Sequence, residues 1–424
     1  MLFPPFLKTI REHVAVLSDP RFWAFFGTGL IVSVAYMDPG NWGTSISAGA
    51  SFNYDLLWVV WMSSAFAMLF QYLSGKMGIA GYSLAEVIRL RWKDKRLVLG
   101  YWLLAEIAIL ATDLAEFLGI AVALTILFGI PLLHAALIAM LDVGLLVFLT
   151  RKSFRPLEYA FVVFVSVIGL GYVYEIFITK PSLSQIAAHS VTPLLNADTV
   201  IYAVGIIGAT VMPHALFVHS WLLKEKMKEK AHKPLDAKTA MRFHVVDNVG
   251  SLFIAGFINA AILIMAAAAF FQIGVPVATI DDAYRTLFPL FGPLAAVVFA
   301  VALLSAGISS SITGTLAGQS ILESLTDFKL SVFARRLITR VINVIPLLFA
   351  VYLNVEPLSI LVYSQVALSL LIPLPLIPLI YYTADKKLMG KWVNAKTTTA
   401  LASLFAFVIL AFNAYLLAVT FGLV

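Results

Sequence analysis

The sequence contains no cysteine, which excludes disulfides, thiolate metal sites and cysteine nucleophiles. Charge is scarce as well. Only 12% of the 424 residues are Asp, Glu, Lys or Arg, against roughly a quarter in a soluble domain. Hydrophobic residues make up 61%, and the mean hydropathy is +0.95. A water-soluble globular class is therefore excluded. The start of the chain has no basic stretch, apolar core and small-residue cleavage site of a signal peptide. Residues 1–21 read instead as a short amphipathic, cytoplasmic N-terminal segment.

What is present is apolar runs of about 20 residues, the length that crosses a bilayer. Eleven are expected, at roughly 22–48, 54–78, 98–127, 131–149, 156–177, 198–222, 245–271, 287–318, 336–353, 357–382 and 398–422. Basic residues test that number. Lys8, Arg11 and Arg21 precede the first span, and Arg89, Arg91, Lys93, Lys95 and Arg96 lie between spans 2 and 3. Arg151, Lys152 and Arg155 follow span 4, and seven Lys or Arg lie from Lys224 to Arg242. Lys329, Arg335 and Arg336 precede span 9, and Lys386, Lys387, Lys391 and Lys396 precede span 11. The alternate connections carry only Lys180 and Arg285. By the positive-inside rule the N-terminus is cytoplasmic and the C-terminus is outside, and Arg335 and Arg336 read as anchors. The expected location is a plasma membrane, the inner membrane of a bacterium. The net charge of +6 is thus a topology signal in short loops, and no nucleic-acid partner is expected.

Two spans carry residues that a membrane helix should avoid. Span 1 holds Asp38-Pro39-Gly40-Asn41. Proline removes a backbone donor, glycine resists helix, and a carboxylate at mid-bilayer costs roughly 2.5–3.5 kcal/mol. Span 6 reads GIIGATVMPHALFVHS, residues 205–220, with Pro213 between Met212 and His214. A proline kink satisfied by its neighbours explains one such site. Two, in the first and sixth spans, point to an inverted-repeat transporter with discontinuous helices. Residues 22–177 and 198–382 are the expected repeats, within one transport domain covering residues 1–424, and 398–422 is an added helix. Pro39, Gly40 and Pro213 are the expected hinges.

Unwinding exposes backbone carbonyls near the breaks, such as those of Ala35 and Ala209. Asp38 adds a carboxylate, Asn41 a carboxamide oxygen and Met212 a thioether. Magnesium and calcium prefer oxygen alone, whereas a thioether favours later, softer ions. This donor set fits Mn²⁺ or Fe²⁺, with Co²⁺, Ni²⁺, Zn²⁺ or Cd²⁺ also accommodated. Span 3 adds Glu106, Asp113 and Glu116, spaced i, i+7 and i+10 and so within about 80° on one helix face. Such acid stripes mark proton relays, and Arg340 of span 9 is a candidate partner. His214 is placed to titrate beside the metal site. His219 reads equally well as a packing residue. From the residues alone Gln365 looks like an ordinary interhelical hydrogen bonder.

DPGN in span 1 and MPH in span 6 resemble the paired signature of the Nramp family, the natural resistance-associated macrophage proteins, which are proton-coupled divalent metal transporters. The similarity extends through ATDLAEFLG, residues 111–119, and along nearly all the apolar spans. It implies an all-α polytopic membrane protein with a LeuT-type fold, a 5+5 inverted repeat with discontinuous helices 1 and 6, plus an eleventh transmembrane helix. It implies metal ligation by Asp38, Asn41, Met212 and the carbonyls of Ala35 and Ala209, with Gln365 nearby. It also supports Asp38, His214, Asp113 and Glu116 as proton-route positions.

Other classes fit less well. In a cation-coupled amino-acid symporter on the same fold, Asp38 would repel a carboxylate substrate. A metalloenzyme is disfavoured because His214 and His219 are five apart with no glutamate between, unlike HExxH. A passive divalent-cation channel would use the span 3 acids as its lining. The stretch SAGISSSITGTLAG, residues 305–318, suits close helix packing under any of these readings. The expected partners are a divalent metal as substrate, protons and the lipid bilayer. The chain is expected to act as a monomer, without a resident cofactor and without enzymatic activity.

Overall fold

A computed structural model describes residues 15–142, 144, 155–228, 235–274, 280–326, 328, 330–353 and 355–423. All regular structure among these residues is helical. In chain order the helices are α1 (Pro20–Phe25), α2 (Thr28–Ala35), α3 (Pro39–Phe52), α4 (Leu57–Ile79), α5 (Leu84–Arg91) and α6 (Lys95–Phe128). Next come α7 (Leu132–Ala139), α8 (Arg155–Thr179), α9 (Leu183–Val191), α10 (Val200–Thr210), α11 (Pro213–Lys228) and α12 (Ala237–Ala269). The remaining helices of more than one turn are α13 (Ile280–Phe291), α14 (Pro293–Leu325), α15 (Val332–Tyr352), α16 (Pro357–Leu371), α17 (Pro373–Thr383) and α18 (Lys396–Thr420).

Eight helical segments among the described residues are long and apolar enough to cross a membrane, and they coincide with spans 2, 3, 5, 6, 7, 8, 10 and 11. The other three expected spans differ for separate reasons. Span 1 is divided into α2 and α3. Span 4 is described only through α7 and the residues just after it; residues 143 and 145–149 lie outside the described set. Span 9 is α15, whose three arginines, Arg335, Arg336 and Arg340, lower its hydropathy. Residues 1–14, and with them Lys8 and Arg11, also lie outside the described residues, as do Arg151, Lys152 and Lys329.

Local chemistry accounts for the breaks. Asp38 is the N-cap of α3: its backbone is extended, and its Oδ1 accepts the Asn41 amide at 2.8 Å. Pro39 occupies the first helical position, where its missing N–H costs nothing. DPGN therefore starts a helix as well as ending one. Before it, Tyr36, Met37 and Asp38 donate to carbonyls three residues back, tightening the end of α2. Pro213 likewise opens α11, with two residues, Val211 and Met212, separating it from the end of α10 at Thr210. A third interruption was not expected. Span 10 is divided at Ile372 into α16 and α17, where Pro373 and Pro375 remove backbone donors.

The broken segments lie at the centre. Residues 28–49 and 203–220 are buried throughout, enclosed by α4, α6, α12, α14 and α16. The most extensive helix contact is that of α6 with α14, the helix carrying the small-residue stretch 305–318. By contrast, α8 and α18 bury only 28% and 33% of their apolar windows, so most of their surface faces lipid.

Candidate metal site and acid–base network

Two helix breaks, far apart in sequence, meet at the middle of the molecule. Asn41 Nδ2 donates to the Ala209 carbonyl at 2.8 Å and to Asp38 Oδ1 at 2.9 Å. Thr210 Oγ1 donates to Asn41 Oδ1 at 3.3 Å, and Asn259 Nδ2 of α12 donates to the same oxygen at 3.2 Å. Asn259 also donates to the Tyr36 carbonyl at 2.7 Å, tying the first break to α12. The Ala35 carbonyl accepts the Asp38 amide at 3.3 Å and keeps its second lone pair.

Gln365 of α16 completes the cluster. A methyl group at Gly40 would overlap the Gln365 carboxamide and come within 2.9 Å of Asp38 Oδ2. Those two side chains therefore converge over the same glycine. Among the described residues neither Asp38 Oδ2 nor Gln365 Oε1 has a hydrogen-bond partner, although both are buried. Gly208 plays the matching part on the other break: a Cβ there would strike the backbone of Gln365. Met212 is fully buried in the turn between α10 and α11. None of Ala35, Asp38, Asn41, Ala209, Met212 or Gln365 is more than 1% exposed, so the cluster is closed to both faces. An unpaired buried carboxylate oxygen is costly, and a cation is the natural way to satisfy it.

A second polar cluster begins one residue beyond Pro213. His214 Nδ1 lies 3.1 Å from Thr112 Oγ1 on α6, next to Asp113. Asp113 accepts from an Arg336 guanidinium nitrogen, from Asn343 Nδ2 at 3.1 Å and, through its carbonyl, from Arg340 Nη1 at 3.2 Å. Arg340 and Arg336 both also bind Asp142, to which Ser311 Oγ donates at 2.6 Å. Glu106, at the other end of the stripe, takes two hydrogen bonds from Arg335 Nη2 at 2.8 and 3.0 Å. Arg335 and Arg336 are thus buried ion-pair partners, which corrects their reading as positive-inside anchors. A guanidinium five or fewer residues from a helix start looks identical in sequence whether it turns outward or inward.

Glu116 is different. It is fully buried, its two oxygens have no hydrogen-bond partner among the described residues, and its carboxylate lies against Gly314 of α14, where a methyl group would come within 3.0 Å of both oxygens. Arg340 instead stacks over the Phe117 ring at 5.0 Å. His219 is held by Gln71, 2.9 Å from its Nδ1, and meets His244 edge to face at 5.1 Å. Gln71 in turn donates to Tyr36 Oη at 2.7 Å, so His219 is linked through Gln71 to the first break. Asp142, Asn259, Asn343 and Thr112 were not anticipated. Asp142 stood out only as a carboxylate in an apolar span, a signal that was available.

Interrupted helices trapping a polar cluster at mid-membrane define a multi-pass secondary transporter of the LeuT type. The comparisons are specific. A family profile described as natural resistance-associated macrophage protein-like matches residues 29–419. The divalent metal cation transporter MntH of Verminephrobacter eiseniae is 45% identical over 401 residues, covering 94% of this chain and 90% of that protein. MntH of Deinococcus radiodurans is 40% identical over 411 residues, covering 96% and 93%. The crystal structure of the Eremococcus coleocola manganese transporter superposes with a TM-score of 0.83 at 34% identity, covering 94% of this chain and 86% of that one. Mhp1, a nucleobase-cation-symport-1 family transporter, shares the fold alone, with a TM-score of 0.62 at 15% identity. The chain belongs to the Nramp family.

Proposed function

We propose that this protein imports divalent transition-metal ions, Mn²⁺ or Fe²⁺ foremost, by alternating access with accompanying protons. The observation that carries the reading is a pair of buried oxygens without a partner among the described residues, Asp38 Oδ2 and Gln365 Oε1, on side chains that converge over Gly40 beside Asn41 and Ala209. Asp38, Asn41, Gln365, Met212 and the carbonyls of Ala35 and Ala209 are the ligands in this reading. The relatives named as metal cation and manganese transporters support that class of cargo over amino acids. Met212 supplies the sulfur that separates transition metals from magnesium.

Protons follow a separate route in the same reading. Asp38 and His214 take them at the site, Thr112 links His214 to α6, and Asp113, Glu116 and Glu106 carry them along α6, with Arg340 and the other arginines of α15 as the fixed positive partners of those acids. The distance from Glu116 to Glu106 along the helix is about 15 Å, half the hydrocarbon thickness. The breaks at Asp38-Pro39-Gly40 and Pro213 are the hinges about which the closed cluster opens. Asp247 of α12 holds the start of α2, the helix that leads to the first hinge, accepting from Gly29 N at 2.8 Å, Thr28 Oγ1 at 3.2 Å and Gly27 N at 3.3 Å. Residues 22–177 and 198–382 form the repeats, and 398–422 the added helix. The protein works as a monomer in the plasma membrane with its N-terminus in the cytoplasm. A membrane potential negative inside favours entry of a dication by about 4.6 kcal/mol per 100 mV.

The test is uptake into proteoliposomes under an inward proton gradient. Wild type is expected to accumulate Mn²⁺ and to acidify the lumen, and Asp38→Ala to do neither. Normal Mn²⁺ uptake by Asp38→Ala ends this site assignment. Substrate-driven exchange from preloaded vesicles separates a carrier from a pore.

A further inference from the structure

A slot of about 630 Å³ lies between α17 and α18, remote from the metal cluster. Its walls are apolar: Ile377, Tyr381, Phe407 and Leu410 are exposed at 55%, 70%, 67% and 40%. Asp385, Lys386, Thr399 and Ser403 line its mouth. Polar clamps fix the helices above and below. Asn413 of α18 exchanges two hydrogen bonds with Ser369, at 2.8 and 2.9 Å, just before the Ile372 interruption. At the mouth, Asn394 N and Nδ2 donate to Thr383 at 3.0 and 2.9 Å. The slot is therefore a fixed gap, held open by contacts at both ends.

Charge and depth together identify an occupant. Asp385 is already engaged by Arg91 at 3.0 Å. Lys386 and Lys387 are exposed and make no ion pair among the described residues. With Lys391 and Lys396 in the same connection, the mouth presents a positive surface at the membrane boundary. From Thr399 to Leu410 the wall of α18 runs about 16 Å, the hydrocarbon depth of one leaflet. A basic mouth over an apolar slot one leaflet deep matches a single amphiphile with an anionic head and a hydrocarbon tail.

We propose that this slot is a binding site for an anionic phospholipid, its phosphate on Lys386 and Lys387 and one acyl chain along Tyr381, Phe407 and Leu410. Only the choice of leaflet rests on the topology proposed above. The Thr399 and Ser403 hydroxyls are placed to donate to the ester or phosphate oxygens.

The experiment is lipid retention by the purified full-length chain in detergent, read by native mass spectrometry with phosphatidylglycerol or phosphatidylcholine of identical chains. Orientation in a membrane does not enter, so a wrong topology leaves the result intact. Wild type is expected to prefer phosphatidylglycerol by about tenfold. Lys386→Gln/Lys387→Gln should lose that preference, while Lys95→Gln/Arg96→Gln, an equal charge change in another connection, should keep it. Ser403→Trp should lower retention of both lipids. No headgroup preference in wild type, an equal loss in the two charge variants, or undiminished retention by Ser403→Trp would each overturn the site.

Discussion

Asn41 and Ala209 are 168 residues apart in sequence and joined by a 2.8 Å hydrogen bond across two helix breaks. The same amide nitrogen donates to Asp38 Oδ1, so one N–H₂ group satisfies two oxygens that the proposed cation would otherwise satisfy. For its own oxygen to face the metal, the Asn41 carboxamide must turn over, releasing Asn259 and Thr210. Asn41→Ala removes both the ligand and the bridge. Mn²⁺ affinity is expected to fall about tenfold or more, since each 1.4 kcal/mol is a factor of ten. Calorimetry on the purified variant checks this, and an unchanged dissociation constant would remove Asn41 from the ligand set.

Met212 carries metal selectivity in the proposed site. Met212→Ala should weaken Mn²⁺ and Cd²⁺ binding while leaving or improving the response to Mg²⁺, because the remaining donors are all oxygen. The measurement is the ratio of Mn²⁺ to Mg²⁺ uptake in wild type and variant. Equal ratios in the two proteins would make Met212 a packing residue.

Close approach of the breaks depends on absent side chains. Gly208→Ala places a methyl against the Gln365 backbone, which no rotamer relieves, so α10 and α16 must separate. The variant should lose transport and melt at lower temperature. Gly100→Ala on α6 is the control, because its new methyl meets nothing within 4 Å and alanine is favoured over glycine in a helix by up to about 1 kcal/mol. A melting curve of Gly208→Ala that overlays wild type would show that the breaks have room to spare.

How much of this was legible depended on whether a residue's partner was local. A carboxylate, a proline and a glycine together announced a break, so the first was readable from four adjacent residues, although that Asp38 caps a new helix came only from the fold. The stripe of Glu106, Asp113 and Glu116 was readable from helical spacing. Of their partners only Arg340 was proposed; Arg335 and Arg336 were not, because an arginine near a helix end reads as an anchor and nothing in α15 says that it faces α6. Spacing also suggested three equivalent acids, whereas the fold pairs Glu106 with Arg335, gives Asp113 to Arg336 and Asn343, and leaves Glu116 without a hydrogen-bond partner among the described residues. The interruption at Ile372 was hidden in a proline-rich run, PLPLIP, that also suits a continuous kinked span. Asp142 was overlooked because its meaning lies in two guanidiniums nearly 200 residues away.

Those guanidiniums give the sharpest energetic test. Asp113, Asp142, Arg336 and Arg340 form a buried group of two acids and two bases, neutral as a whole. Removing one member leaves an uncompensated charge among apolar helices, a loss of about 3–5 kcal/mol. Asp113→Asn alone and Arg336→Gln alone should each lower the melting temperature sharply. Asp113→Asn combined with Arg336→Gln restores neutrality and should recover a large part of that loss, a coupling that a double-mutant cycle reads directly. Recovered stability need not bring recovered function. The double variant keeps the metal cluster intact but lacks the Asp113 carboxylate, so it should bind Mn²⁺ normally and acidify vesicles poorly. If its loss of stability equals the sum of the two single losses, Asp113 and Arg336 do not act as a pair. If lumenal acidification also stays at the wild-type rate, the proton route along α6 does not pass through Asp113.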